Sequence, residues 1–210
     1  MNRLVVVRHA QSDHHVRGLT GGWTDTGLTA LGQAQARQTA YRCRTLVADD
    51  NVSLFTSDLQ RAYQTATLIA EALAVPTVAL PGLREINNGV AANLLVSEAK
   101  ALELPKTDPV ADWVPYTGAE SWNQMVSRVF AAMEQIHTTT TDTALVVTHG
   151  LSGCAVIQWW LGLGPCCRAN VSFQLDPASI SLFGVNSWNE RTVVKLNDTS
   201  HLDNIDPASF

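Results

Sequence analysis

The chain has 210 residues, 46% of them apolar and 16% charged, with a formal net charge of -5. That length accommodates one α/β domain over residues 1–210, and the apolar share supplies a sizeable core, the reverse of a disordered composition. The negative balance argues against nucleic acid and anionic membranes as main partners, so an anionic ligand must be met by locally concentrated cations.

The cysteines are Cys43, Cys154, Cys166 and Cys167. The adjacent pair cannot hold zinc alone and no second pair completes a site, so all four read as idle thiols of a reducing compartment. No carboxylate or histidine cluster stands at metal-ligand spacing, and neither a metal nor another cofactor is expected. Met1 and Asn2 lead into a strand-like run, leaving no room for a signal peptide, and no apolar run reaches membrane-spanning length. The expected location is the cytoplasm.

Arg3 to Val7 is a mostly β-branched run, as in a strand buried on both faces of a parallel sheet. The spacing predicts a helix from Thr29, its N-cap, to Val47. A short strand follows at Val52–Phe55, then a helix from Asp58 to Leu73 stopped by Pro76, and an extended run from Thr77 to Leu80. Gly89 to Gly118 is irregular, interrupted by Pro105, Pro109 and Pro115, and reads as an insertion over the active-site end of the sheet. A helix is expected from Glu120 to His137 and a strand at Ala144–Thr148. Ile180–Val185 and Thr192–Leu196 read as two strands joined through Asn186–Asn189, an antiparallel edge on a mainly parallel sheet. Trp159-Trp160-Leu161 reads as helix core or an oligomer contact; the chain is expected to be a monomer or homodimer.

In open parallel sheets ligands bind beyond the carboxyl ends of the strands, which makes strand-end residues informative. The first strand ends in Arg8-His9, and Ala144–Thr148 runs into His149-Gly150. Val52–Phe55 runs into Thr56-Ser57-Asp58, with Arg61 about one helical turn later, and Glu85 follows the extended run. If these strands are neighbours, one pocket holds two arginines, two histidines and a carboxylate. Arginine grips phosphate bidentately and stays charged, histidine can act as nucleophile, and a carboxylate can shuttle a proton. A glycine after His149 lets backbone approach a ligand closely.

Arg8-His9-Ala10-Gln11-Ser12, Gly22 to Thr29, Ser57 to Ala66 and Leu83-Arg84-Glu85-Ile86 stand in a telling order. Glu120-Ser121, Arg128-Val129, Val147 to Gly150 and Asn197 to Leu202 continue it. Through these blocks the chain resembles the histidine phosphatase superfamily, its phosphoglycerate-mutase-like branch, over nearly its whole length. The resemblance implies a three-layer α/β/α sandwich and metal-independent hydrolysis of a small phosphomonoester in two steps. By it His9 is the nucleophile that becomes phosphohistidine. Arg8, Arg61 and His149 clamp the phosphoryl oxygens with the Gly150 backbone, Gly22 and His15 belong to the phosphate site, and Glu85 protonates the leaving oxygen and then activates water. Cations around His9 would disfavour its imidazolium and keep a lone pair free.

Some positions depart from the family pattern. Ala10 and Gln11 replace Gly-Glu, and Ala91-Ala92-Asn93 replaces Trp-Glu-Gly. His15 stands where an Asn commonly contacts phosphate, and reads equally as a phosphate or substrate contact or as a solvated loop residue. Arg84 should face away from Glu85 in an ion pair. Trp122 is expected to pack, and Trp113 to touch substrate. The alternatives to a phosphatase are a cofactor-dependent phosphoglycerate mutase, whose family members carry longer insertions, and a pseudo-enzyme that binds a phosphorylated ligand without turnover.

Overall fold

The computed structural model describes residues 1–164 and 170–210. Cys166 and Cys167 lie outside them. The strands are β1 (Arg3–Arg8), β2 (Val52–Thr56), β3 (Thr77–Ala79), β4 (Thr143–Thr148), β5 (Ile180–Val185) and β6 (Arg191–Asp198). Six α-helices lie between them: α1 (Asp13–Val16), α2 (Ala30–Leu46), α3 (Gln60–Leu73), α4 (Val96–Lys100), α5 (Trp122–Thr139) and α6 (Gly150–Trp160). The sheet order is β3-β2-β4-β1-β5-β6. The first four strands in that order run parallel, while β5 is antiparallel to β1 and β6 to β5. The mostly parallel sheet with an antiparallel edge is as expected.

Successive strand side chains point to opposite faces, and this alternation makes the layers. Leu4, Val6, Ala144 and Val146 pack with Met125, Val129 and Met133 of α5 and with Ile157 and Trp160 of α6. Val5, Val7, Leu145 and Val147 pack on the other face with Cys43 of α2 and with Ala62, Ala66 and Ile69 of α3. Each such aliphatic side chain, fully buried, contributes roughly 1.5–3 kcal/mol. A strand covered on both faces shows no polar alternation, which is why β1 and β4 read as unbroken apolar runs.

Helix ends follow local chemistry. The Thr29 hydroxyl accepts the Gly32 amide at 3.0 Å, making Thr29 the N-cap of α2. The expected starts of α3 and α5 shift inward by two residues, to Gln60 and Trp122. Asp58 is held by Arg84 instead, and Glu120 by Arg128, while Ser121 caps α5 reciprocally with Gln124. Helix α3 ends in Ala74 at φ 54, two residues before Pro76.

Helix α6 was visible only at its Trp159-Trp160 end. Every residue from Ser152 to Trp160 is buried, so it carries no polar stripe for periodicity to detect. Of the two expectations for those tryptophans, helix core or oligomer contact, the structure places both in the core; the Trp159 indole N–H donates to Glu134 Oε1 at 2.7 Å. Trp122 packs half-buried against the same core. Trp113 donates its indole N–H to the Leu104 carbonyl at 3.1 Å, a bond inside the segment 89–118. Among the described residues no helix is long and apolar enough to cross a membrane.

Candidate active site

The sheet register assembles the centre. Arg8 at the end of β1 lies level with Thr148 of β4, and Val147 lies level with Thr56 of β2. The ladder continues one residue beyond, with the His9 amide donating to the Thr148 carbonyl at 2.9 Å and the Ser57 amide to that of Val147 at 3.0 Å. His9, Ser57 and His149 therefore leave three adjacent strands at one level. Ring centroids of His9 and His149 are 5.0 Å apart.

His9 is buried, and its two ring nitrogens have different partners. Nδ1 lies 2.8 Å from the Ala10 carbonyl oxygen, which can only accept, so Nδ1 carries the proton. Nε2 is therefore unprotonated, and its lone pair accepts the Arg61 Nε–H at 3.1 Å. Burial is the largest cause holding the His9 imidazolium well below its ordinary range, followed by the charges of His149, Arg61 and Arg8. Desolvation thus outranks the cations expected to have this effect.

Arg61, the second residue of α3, is fully buried. Besides His9, it donates through Nη1 to the Thr24 carbonyl at 2.7 Å and through Nη2 to the Gly22 carbonyl at 2.8 Å. The fork has more N–H groups than these acceptors use, and the spare ones are the phosphate donors it can offer. Burial pulls its pKa down to about 10. Gly22 thus acts through its carbonyl, on Arg61. At φ 57 a Cβ there would lie 2.4 Å from Asn88 Oδ1, so only glycine fits.

Asn88 fastens that loop. Its Oδ1 accepts the Trp23 amide at 2.9 Å, and its Nδ2 donates to the Gly21 carbonyl at 3.2 Å and the Thr20 hydroxyl at 3.1 Å. Segment 89–96 adds the Asn93 amide on the Thr24 hydroxyl and the Val96 amide on the Gly18 carbonyl.

Glu85 stands at the start of α6. Its Oε1 accepts the Ile86 and Ser152 amides at 2.9 and 3.1 Å, and its Oε2 the Leu151 amide at 3.0 Å. Trp23 and Arg128 both donate to its backbone carbonyl. A Cβ on Gly150 would lie 3.7 Å from both Glu85 Oε2 and the Arg8 guanidinium carbon, so the absent side chain leaves open the gap between acid and cation. Arg84 faces away as expected, in a two-pronged ion pair with Asp58 at 2.6 and 2.7 Å.

His149 Nε2 lies 2.8 Å from Ser57 Oγ, which itself accepts the Leu59 amide. The Ser57 hydroxyl can give its proton to Nε2 or accept from it, and His149 Nδ1 is left buried with no protein partner. Burial is again the first cause depressing its pKa, ahead of Arg61 and Arg8.

The His15 ring stacks near His9, centroids 5.6 Å apart. The Ser12 amide donates to His15 Nδ1 at 3.2 Å, so in the neutral ring the proton sits on Nε2. That Nε2–H and Arg8 Nη2, both donors, lie 3.4 Å apart, an arrangement that an anionic oxygen would satisfy. Burial holds His15 at about 4 and its neighbour His14 at about 3. The structure therefore groups Arg8, His9, His15, Arg61, Glu85, His149 and Gly150 around one centre, with Gly22 behind Arg61.

Sequence reasoning assigned no role to Ser57, Asn88, Trp23 or Arg128. Ser57 carried a usable signal, its place at the end of β2; the others act on the site through contacts 43 or more residues away, which no local pattern announces. Among the described residues no group of three or more His, Cys, Asp or Glu is arranged to hold a metal ion.

Fold and site together define an α/β sandwich with a cluster of histidines and arginines at the carboxyl ends of its parallel strands. The model of the histidine phosphatase superfamily (branch 1) matches residues 4–199, and the chain belongs to that family. It is 30% identical over 211 residues to a putative phosphoserine phosphatase 2 of Hydrogenobacter thermophilus, covering 96% of this chain and 98% of the relative. A 2,3-bisphosphoglycerate-dependent phosphoglycerate mutase of a Methylobacterium species is 34% identical over 171 residues, 76% of this chain and 81% of its own length. In fold, the chain matches a mycobacterial glucosyl-3-phosphoglycerate phosphatase complexed with VO3, with a TM-score of 0.79 at 23% identity, over 95% of this chain and 100% of that one.

Proposed function

We propose that the protein is a metal-independent phosphatase that hydrolyses a small phosphomonoester through phosphohistidine on His9. The observation that carries this reading is the His9 ring, protonated at Nδ1 by its bond to the Ala10 carbonyl and unprotonated at Nε2 beside Arg61. A fixed tautomer aims one lone pair, and positioning of this kind is worth up to about 7–11 kcal/mol of the barrier.

In the first step the Arg61 Nε–H passes from Nε2 to a phosphoryl oxygen, the freed lone pair attacks phosphorus while the ester P–O bond breaks, and Glu85 gives the departing oxygen its proton. In the second, water attacks phosphorus as the P–N bond breaks. Glu85 takes the water's proton, returning His9 to its starting state. Arg8, Arg61, His149 and the His15 Nε2–H hold the phosphoryl oxygens in both steps, supplying the charge stabilisation that phosphoryl transfer demands.

The mutase relatives keep phosphoglycerate mutase as the second reading. Against it stand Arg84 and Arg128, each tied to a carboxylate, which leaves Arg8 and Arg61 as the arginines whose charge acts on His9. Two such cations suit one phosphoryl group.

Incubation with a phosphate-labelled monoester followed by alkaline quenching should leave label on the peptide containing His9. His9→Ala should carry none and lose nearly all turnover while remaining folded. Label on His149, or turnover retained in His9→Ala, would overturn the reading. Isomerisation of phosphoglycerate dependent on a bisphosphoglycerate primer would establish the mutase instead.

A further inference from the structure

The Leu175–Asp176 peptide is gripped from both sides. Its carbonyl accepts Arg8 Nη1, and its N–H donates to Asn197 Oδ1 at 2.7 Å. Asn197 comes from the end of β6, and its Nδ2 closes a ring by donating to Asp176 Oδ2 at 2.8 Å. Its own amide donates to Ser181 Oγ at 3.0 Å. Asn197 adopts φ 53, a left-handed conformation that asparagine tolerates better than most residues.

A peptide unit is planar, so whatever orients its N–H orients its C=O. Accepting from the N–H also polarises the carbonyl and strengthens the bond made on its far side. The same turn holds Arg8 by its backbone: the Ser179 carbonyl accepts the Arg8 amide at 3.2 Å, and the Ala178 amide donates to the Arg8 carbonyl at 3.1 Å. Arg8 Nε is buried without a protein partner, so the Leu175 carbonyl is the acceptor that aims this guanidinium.

We propose that Asn197 is a positioning residue for the phosphate clamp, acting through the Leu175–Asp176 peptide to fix the Arg8 guanidinium. This rests on Arg8 belonging to the clamp. The role is distinct from closing a turn: a turn-closing residue would affect stability, whereas a positioning residue affects anion binding only while Arg8 is present.

The test is a double-mutant cycle of Asn197→Gly with Arg8→Ala, read by orthovanadate inhibition and by KM and kcat on p-nitrophenyl phosphate. Glycine keeps the left-handed backbone accessible while removing both amide contacts. In the otherwise native chain, Asn197→Gly should weaken vanadate inhibition about five- to tenfold, the scale of one well-made hydrogen bond. In the Arg8→Ala background it should change inhibition less than about twofold, since the peptide then has nothing to aim. Equal effects in both backgrounds, or no effect in the native one, would overturn the proposal. If Arg8→Ala itself leaves inhibition and turnover unchanged, the clamp assignment fails, and the relay with it. Should Asn197→Gly not fold, Asn197→Asp serves in the same cycle, since it sets a carboxylate oxygen against Asp176 where the amide donated.

Discussion

The two sides of the pocket are built differently. One side is a shelf: His9, Ser57 and His149 follow β1, β2 and β4 directly, and ladder bonds continue into the first two of these residues. The other is a wall: Gly22 to Thr24 belong to no strand or helix, and are held by Asn88, Asn93 and the Asn88–Ala119 bridge. Arg61 joins the two, with Nε on the shelf and both Nη groups on the wall. The shelf inherits its precision from the sheet, whereas the wall depends on side chains brought from far along the sequence.

The comparison can be broken most forcefully at Glu85, which the α6 amides hold beside the shelf. Glu85→Gln should cut turnover of alkyl phosphates by roughly 10²–10⁴, because a poor leaving group needs the proton. Nitrophenyl phosphate, whose leaving group departs unaided, should suffer much less. Equal losses on both substrates would make Glu85 a binding or structural residue.

Arg61→Lys tests the joint itself. Lysine keeps the charge but cannot reach His9, Thr24 and Gly22 together, so kcat should fall by about 10²–10³. Turnover near that of the wild type would mean that the wall does not act through this side chain.

The wall alone is probed by Asn88→Ala. It strips three hydrogen bonds from residues 20–23. Stability should fall by about 1–3 kcal/mol, and KM should rise several-fold more than kcat falls. A stability loss with KM unmoved would show that the loop keeps its shape without this fastening.

The smallest effect concerns acid. His14 and His15 are held at about 3 and about 4 in the fold, against about 6.5 in an unfolded chain. Below about pH 6.5 the unfolded state then binds more protons, so stability is full above that pH and falls as pH drops toward 4. His15→Asn removes one of these sites, so the difference between urea midpoints at pH 7 and pH 5 should shrink. An unchanged difference would mean that His15 is already charged in the folded protein.

Much of the shelf was legible because it is local. Arg8-His9 and His149-Gly150 directly follow runs of apolar residues that declare themselves as buried strands. The wall was legible only as a resemblance, since nothing within Gly22 to Thr24 announces that two of its carbonyls turn toward Arg61. Helix α6 escaped periodicity because burial on all sides erases the polar face that periodicity measures.

What the amino-acid sequence determined by itself was therefore the alternation of buried strands and helices, and the identity of the residues at the strand ends. The tertiary structure decided which atoms those residues present. His9 offers Nε2 because the Ala10 carbonyl takes the Nδ1 proton, and His149 offers Nδ1 because Ser57, 92 residues away, takes Nε2. An imidazole is nearly indifferent between its two neutral tautomers until a partner of fixed polarity selects one. For His9 that partner is the adjacent Ala10 carbonyl, whereas the Ser57 hydroxyl reaches His149 only when parallel pairing sets β2 beside β4.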